Sequence, residues 1–539
     1  MQAVRRRGLP PHGGTKTRET PQLARRLPII LLGVGISIAV VVLVGFLVSK
    51  RIAGDSANFL VGGRSLPLIL VGGALMGSAV DTNATLGNTD LAAEFGFWAG
   101  ACLPLGLALC LVLTGLFFAK PMNRMGLTSF PDYYRLRFGR AVEAVASLLL
   151  IIGFCLLVAG NLVAGGFLFN YFVGIPYWLG AVIIAILAVA YTGTGGLIAD
   201  AYTAIIQMTL VLVGAVGLLI WMAATHGIAI ADGMGPLDLG QMTDPAQGAT
   251  INWATLIALG IGDIVAIDFM QRVFAAKSPE TARRACFGAA TGVVAICVPF
   301  GLVVLSAKAF LPEELDGPIL FVLLDNYAPV FLTVIVLCGL VGASMSTANG
   351  AILAISNVSV RNLGGVRRVH VPGQRDPLLW STRIAMVPVT VLAILIAIYV
   401  KQTGILLTLA FDLLLACLVV PFILGLVWRR GTAVAALVSI AVGLTVRLVL
   451  FAMTPTMYGL DNTILYIPNG VIDASFDGWP TFIAFAASLI TYVAIALVTP
   501  QAPIRGLDIQ VAQDVDDALD GVDESELESE LVKAEAGQQ

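Results

Sequence analysis

Charge is what this sequence has least of. Asp, Glu, Lys and Arg make up 12% of its 539 residues, about half the share in a soluble chain of ordinary composition. It has only three histidines, His12, His226 and His370, and all fall outside the long apolar runs. No nucleophile–base pair is visible, so nothing points to an enzyme. Seven cysteines are scattered, most of them inside apolar runs. They form no CxxC or Cys/His pattern of metal-binding spacing and read as buried free thiols. A net charge of −3 leaves no basic footprint for nucleic acid.

What is abundant is apolar: 58% of the residues are hydrophobic, gathered in runs long enough to face lipid. The chain reads as an all-α integral membrane protein with about thirteen transmembrane helices, at 29–49, 67–92, 98–119, 141–170, 175–193, 202–224, 252–275, 285–310, 329–359, 378–400, 403–428, 431–453 and 480–499. The first run lacks a small-residue cleavage site and is too long for a signal-peptide core, so it reads as a retained helix. An N-terminal tail (1–28), a transmembrane transporter domain (29–500) and an acidic tail (501–539) divide the chain.

Lys and Arg crowd one set of alternate loops, among them Lys120, Arg124, Arg135, Arg137, Arg140, Lys277, Arg283, Arg284, Arg361, Arg429 and Arg430. The opposite set is poor in cations and holds Asp232, Asp238, Asp244, Asp461, Asp473 and Asp477. The cation-rich side is cytoplasmic by the positive-inside rule. That makes a multi-pass cell-membrane protein with its N-terminus outside and its C-terminus cytoplasmic. The first 28 residues disagree, since they carry seven Arg and Lys: either the later loops dominate or the true start lies downstream. The C-terminal tail is acidic and poor in aromatics, the composition of a solvated, disordered segment.

Two spans are interrupted by polar residues. Gly77-Ser78-Ala79-Val80-Asp81-Thr82-Asn83-Ala84-Thr85 lies in the second, and Gly260-Ile261-Gly262-Asp263, followed by Asp268 and Gln271-Arg272, lies in the seventh. Backbone freed by such breaks must be satisfied inside the membrane, and paired broken helices mark the sites of inverted-repeat transporters. The five-span spacing suits a 5+5 inverted repeat, about 67–224 and 252–428. Asp81 carries the strongest signal, because intramembrane acids usually mark ion or solute pathways. Asp263 is a weaker one. Asp268 and Arg272, four apart, also fit a plain helical ion pair. Ser346 and Thr347, with the carbonyl of Ala343 one turn earlier, offer oxygen ligands to a small hard cation; the same stretch also fits small-residue helix packing, with hydroxyls bonded to the preceding turn.

Four segments together resemble the sodium:solute symporter family. They are Phe59-Leu60-Val61-Gly62-Gly63-Arg64-Ser65-Leu66-Pro67; Tyr191-Thr192-Gly193-Thr194-Gly195-Gly196-Leu197 with Thr203 and Gln207; Gln271-Arg272-Val273-Phe274-Ala275-Ala276-Lys277-Ser278 with Ala282-Arg283-Arg284; and Ala343-Ser344-Met345-Ser346-Thr347. The resemblance implies a leucine-transporter-like fold. It also implies a sodium ion held by the carbonyls of Ala79, Thr82 and Ala343 and the hydroxyls of Ser346 and Thr347, with Asp81 as an ion-coupling residue. One departure stands out. The family's Asp after Thr203 is Ala204 here, and an acid stands instead at Asp200, one turn earlier on the same helix face. It is either a relocated ion-coupling group or a membrane-edge acid. Gly115-Leu116-Phe117-Phe118-Ala119-Lys120-Pro121-Met122 looks most like the choline-transporter branch. A quaternary ammonium requires an aromatic cage, however, and Val80 and Ala266 stand where its aromatics are expected.

The chain is therefore expected to be a sodium-coupled secondary active symporter importing a small polar organic solute, amino-acid-like or amine-like. Its partners would be sodium, the solute and the lipid bilayer; it would need no cofactor besides the coupling ion and bind no nucleic acid. Asn83, Trp253, Asp263 and Phe269 are the expected solute contacts. Proton coupling through Asp81 is the alternative within the class. A membrane sensor is disfavoured by the short acidic tail. The orientation is open to a direct check. Single cysteines replacing Asp461 or Asp517 in a Cys-free background should react with an impermeant maleimide in intact cells at 461 and not at 517; the opposite pattern would invert the topology.

Overall fold

A helix is the only way a lone apolar segment can satisfy its own backbone in lipid, and the chain is nearly all helix. The computed structural model describes residues 21–500 apart from 53, 313, 316, 367, 369–374 and 402. The acidic tail (501–539) and most of the basic N-terminal tail lie outside the described residues.

The principal helices are α1 (Pro21–Ser49), α2 (Leu68–Ala79), α3 (Asn88–Phe95), α4 (Phe97–Leu113), α5 (Arg140–Val173), α6 (Tyr177–Thr225), α7 (Ala249–Gly262), α8 (Ile267–Ala275), α9 (Pro279–Ala307), α10 (Val330–Asn357), α11 (Pro377–Tyr399), α12 (Thr403–Leu414), α13 (Ala433–Met453) and α14 (Trp479–Val498). A two-stranded hairpin, β1 (Thr456–Met457) and β2 (Leu460–Asp461), joins α13 to α14. All seven cysteines are free and buried, as their scatter in apolar runs indicated.

Among the described residues ten helices are long and apolar enough to cross a membrane, or eleven when α7 and α8, bent by 49°, count as one broken span. The thirteen spans expected from sequence are not recovered as thirteen uninterrupted helices, for two physical reasons. The run 67–92 is broken, which leaves α2 only 12 residues long. The runs 175–193 and 202–224 follow one another without a loop in α6, as two helical segments that meet at a kink at the non-helical Gly196 (φ 51°, ψ −152°). A side chain at Gly196 would also collide with the Phe59 carbonyl and ring, so the kink needs glycine on two counts.

α10 is the most enclosed of the long helices and α1 the most exposed. α10 packs along α6 and α5, while α1 lies on the outside against α6 and α10. The α2–α3 and α7–α8 breaks are thereby held inside a ring of helices. The 454–478 connection folds over the C-terminal end of α3 and the N-terminal end of α7. Asp477 accepts hydrogen bonds from the Tyr458 and Gly459 amides at 3.0 and 2.9 Å. Gly459 lies beside Phe95, and Gly478 against the Thr250 carbonyl.

Farther from the breaks, Asp412 of α12 and Arg447 of α13 form a buried ion pair. Removing one member of such a pair strands the other charge and costs about 3–5 kcal/mol. Arg447→Met should therefore lower the thermal unfolding midpoint sharply, and Asp412→Leu combined with Arg447→Met should recover most of the loss. A single variant as stable as wild type would show that the pair does not hold α12 to α13.

Candidate functional site

Helix α2 ends where Val80 leaves helical geometry (φ −91°, ψ 72°). The chain then passes through Asp81 and Thr82 into a wide turn, Asn83–Gly87, before α3 begins. Asp81 is almost fully buried, yet it is well supplied with donors. Its carboxylate accepts from the Ala84 amide at 2.6 Å, Asn83 Nδ2 at 2.7 Å and Asn161 Nδ2 at 2.9 Å. Asn161 belongs to α5, so the first break is tied to a third helix. Ser344 on α10 reaches the Asn161 carbonyl at 3.0 Å.

The second break faces the first. α7 ends at Gly262, Asp263–Val265 makes a single tight turn, and Ala266 (φ −60°, ψ 122°) redirects the chain into α8. Asp263, Asp268 and Phe269 are all buried. Asp268 takes the Phe269 amide at 2.8 Å. Arg272, with no exposed surface, pairs at 2.7 Å with Asp200 of α6 and at 3.6 Å with Asp268. Arg272 thus serves two of the intramembrane acids, as the i, i+4 spacing suggested for Asp268 and did not suggest for Asp200. A side chain at Gly350 of α10 would run into this guanidinium.

The hydroxyl pair on α10 meets the end of α2. Thr347 Oγ1 donates to the Gly77 carbonyl at 3.0 Å and approaches the Ser78 carbonyl at 3.4 Å. Ser346 Oγ is fully buried, has no hydrogen-bond partner among the described residues, and lies beside the Asp200 carboxylate. Ala79, Thr82 and Ala343 are buried at the same junction. Main-chain and hydroxyl oxygens with spare lone pairs, between two helices and close to carboxylates, are the donor set a sodium ion takes.

The predicted solute contacts divide. Asn83, Asp263 and Phe269 lie at the breaks. Trp253 does not: it is 44% exposed on α7, and its indole donates to the Met242 carbonyl at 2.9 Å, in the connection before α7. Its apolar setting in the sequence gave no sign of that outward face. Asn161 was missed, although a lone amide in the apolar run 141–170 was the available signal. Asp200 is buried within the protein. Its partner is Arg272, whereas Ala204 faces Gly77 near Ser346. Val80 and Ala266 are fully buried at the two break points, so no aromatic stands there.

Comparison with known proteins follows the same lines. Residues 59–443 match the family model described as the sodium:solute symporter family. The human high affinity choline transporter 1 is 26% identical over 413 residues, 71% of this chain and 70% of that one. The Drosophila melanogaster transporter of the same name is 24% identical, the match covering 73% of this chain and 65% of that one. An uncharacterized Bacillus subtilis symporter, YwcA, is 23% identical over 82% of this chain and 89% of its own length. Among solved structures, a substrate-bound, outward-open Na+-coupled sialic acid symporter superposes with a TM-score of 0.71 at 18% identity, covering 88% of this chain and 98% of that one. A nucleobase-cation-symport-1 family transporter in a closed conformation gives 0.55 at 14% identity, covering 85% and 98%. The fold is leucine-transporter-like, as expected.

The Asp200–Arg272 geometry makes its own prediction. Asp200→Asn leaves Arg272 with only the longer Asp268 contact and should cost about 3–5 kcal/mol of stability. Moving the acid, as Asp200→Val with Ala204→Asp, places it toward Gly77 and Ser346 and should not restore the loss. Thermal unfolding of the three proteins checks this, and recovery in the swapped variant would refute the pairing as position-specific.

Proposed function

The chain belongs to the sodium:solute symporter family, and from that premise we propose that it couples inward sodium movement to uptake of a small organic solute carrying a positively charged amine, by alternating access. Its family and relatives are transporters rather than enzymes. The observation that carries the sodium reading is the contact of Thr347 with the carbonyl end of α2, with the unbonded Ser346 hydroxyl beside it. On this reading Ala79, Thr82 and Ala343 supply carbonyls and Ser346 and Thr347 hydroxyls. The Thr347 hydroxyl turns its hydrogen away from the carbonyls when the ion enters.

Asp81 supports the solute reading. Three donors hold its carboxylate in place, close to Ala79 and Thr82 in the chain, so in its ionised form it would favour a cation in either position. Its relatives named as choline transporters bring a quaternary amine into consideration. With Val80 and Ala266 at the breaks, the side chains there offer hydrogen-bond acceptors in place of an aromatic cage. That favours an amine with N–H groups, as in an amino acid, over a quaternary one. Asn83 and Phe269 are the proposed contacts beside Asp81. The repeats 67–224 and 252–428, an external N-terminus and a cytoplasmic C-terminus complete the reading. The membrane potential would supply roughly 2.3 kcal/mol per charge for every 100 mV.

Two measurements test it. Thermal shifts of purified protein with choline, proline and other amines should be larger with sodium than with potassium, and larger for proline than for choline. In proteoliposomes, Ser346→Ala combined with Thr347→Ala should raise the sodium concentration for half-maximal uptake at least tenfold while the protein stays folded. An unchanged sodium dependence would place the ion elsewhere.

A further inference from the structure

Asp263 is the acid that the sodium and amine reading leaves without a role. It opens the turn between α7 and α8 and has no exposed surface. Neither carboxylate oxygen has an N–H or O–H donor among the described residues. The titratable groups that face it are Asp81 from the first break, Asp268 from α8 and the Cys110 thiol from α4. None is a cation, and the Arg272 guanidinium is engaged with Asp200 and Asp268. From α12 and the turn after it, the neighbouring Gly262 meets the Phe411 carbonyl and Leu415, which bring no positive charge.

The same region is richer in acceptors than in donors. Asn83 Oδ1 is also buried without a hydrogen-bond partner, and Asp268 Oδ2 meets the Arg272 guanidinium only at 3.6 Å. An ionised carboxylate with no donor beyond the weak Cys110 thiol, no cation and two acidic neighbours is costly in a low-dielectric interior, and taking up a proton removes that cost. Among the described residues no three His, Cys, Asp or Glu side chains are arranged to hold a metal ion. A proton needs no cavity and adds the one donor that the acceptors lack.

We propose that Asp263 is a proton-binding site: it holds a proton while the break between α7 and α8 is closed and exchanges it with water when that break opens. The carboxylate Asp263–COO⁻ takes up H⁺ from water to become Asp263–COOH, and the same O–H bond breaks on release. The carrier is then loaded with a proton as well as with sodium, at a position distinct from the sodium ligands. The proton's passage across the membrane rests on the transport reading; its presence on Asp263 does not.

Infrared difference spectroscopy on the full chain in lipid nanodiscs, at neutral pH, tests the assignment without any solute. Wild type should show a carboxylic-acid C=O band that shifts in D2O. Asp263→Asn, which mimics the neutral acid in shape, should remove it; Asp81→Asn should keep it, and Asp263→Glu should restore an acid band. The rate of the D2O shift should differ between sodium and potassium buffers, because exchange follows opening of the break. The proposal is overturned by an acid band that survives in Asp263→Asn, by the lack of any such band in wild type, or by a carboxylate band that moves on adding sodium and disappears in Asp263→Asn. It is also overturned by a D2O shift indifferent to the cation. Failure of sodium-dependent uptake would instead count against the transport reading and leave the infrared result standing.

Discussion

Arg272 is one guanidinium between two carboxylates, in a part of the molecule that water does not reach. It takes Asp200 from α6 and Asp268 from its own helix and presses against Gly350 of α10. Three helices are therefore fixed relative to one another around a single side chain. A buried pair of this kind contributes little net stability, because desolvation offsets most of the attraction. What it supplies is position. Without it, α8 has no polar anchor to α6, and the second break loses its fixed distance from the Ser346 hydroxyl. Gly350 belongs to the same constraint, since any side chain there would displace the guanidinium.

The four central acids are chemically identical and differ only in surroundings. Asp81 has three hydrogen-bond donors, Asp200 and Asp268 share a cation, and Asp263 has neither a cation nor any donor beyond the weak Cys110 thiol. Environment is what divides such groups into roles. A carboxylate held by amides keeps its charge and attracts a cation. One held by a guanidinium becomes part of the scaffold. One with no donor is most stable neutral. On the proposed reading, an arrangement of this kind would let a single small region handle sodium, an amine and a proton without their competing for one carboxyl.

Both breaks were legible in the sequence, because Gly77–Thr85 and Gly260–Asp263 place polar residues in the middle of apolar runs that otherwise have no reason to contain them. The span count was less legible. Gly193-Thr194-Gly195-Gly196 has the composition of a loop, yet the two halves of α6 meet there at the single non-helical residue Gly196, with the Tyr191–Thr203 hydrogen bond across the bend. Long-range pairings were not legible at all. Arg272 has an acid four residues before it, which explains the cation locally and hides its shorter contact with Asp200, 72 residues away. Asp412 and Arg447 are lone opposite charges in adjacent apolar spans, a signal that is clear once the helices are known to touch. Trp253 was drawn toward the site by its chemistry and not by its helix face: its indole already has a partner in the loop before α7.

The proposed sodium ligands and the proposed solute anchor share one stretch of backbone. Ala79 and Thr82 flank Asp81, and the Thr347 hydroxyl already reaches the turn before them. An ion drawing the Ala79 and Thr82 carbonyls toward α10 would therefore reorient the peptide that carries Asp81, and with it the Asn83 and Asn161 amides bonded to that carboxylate. A solute that binds Asp81 in its ion-bound orientation favours the same position of the carbonyls. The coupling is reciprocal by thermodynamic necessity, and it requires differential contact with two arrangements of the break rather than any direct touch between ion and solute. The non-helical Val80 makes this economical. A continuous helix would resist such a rotation by breaking its own hydrogen bonds, whereas here the ladder is already interrupted between Ala79 and Asn83.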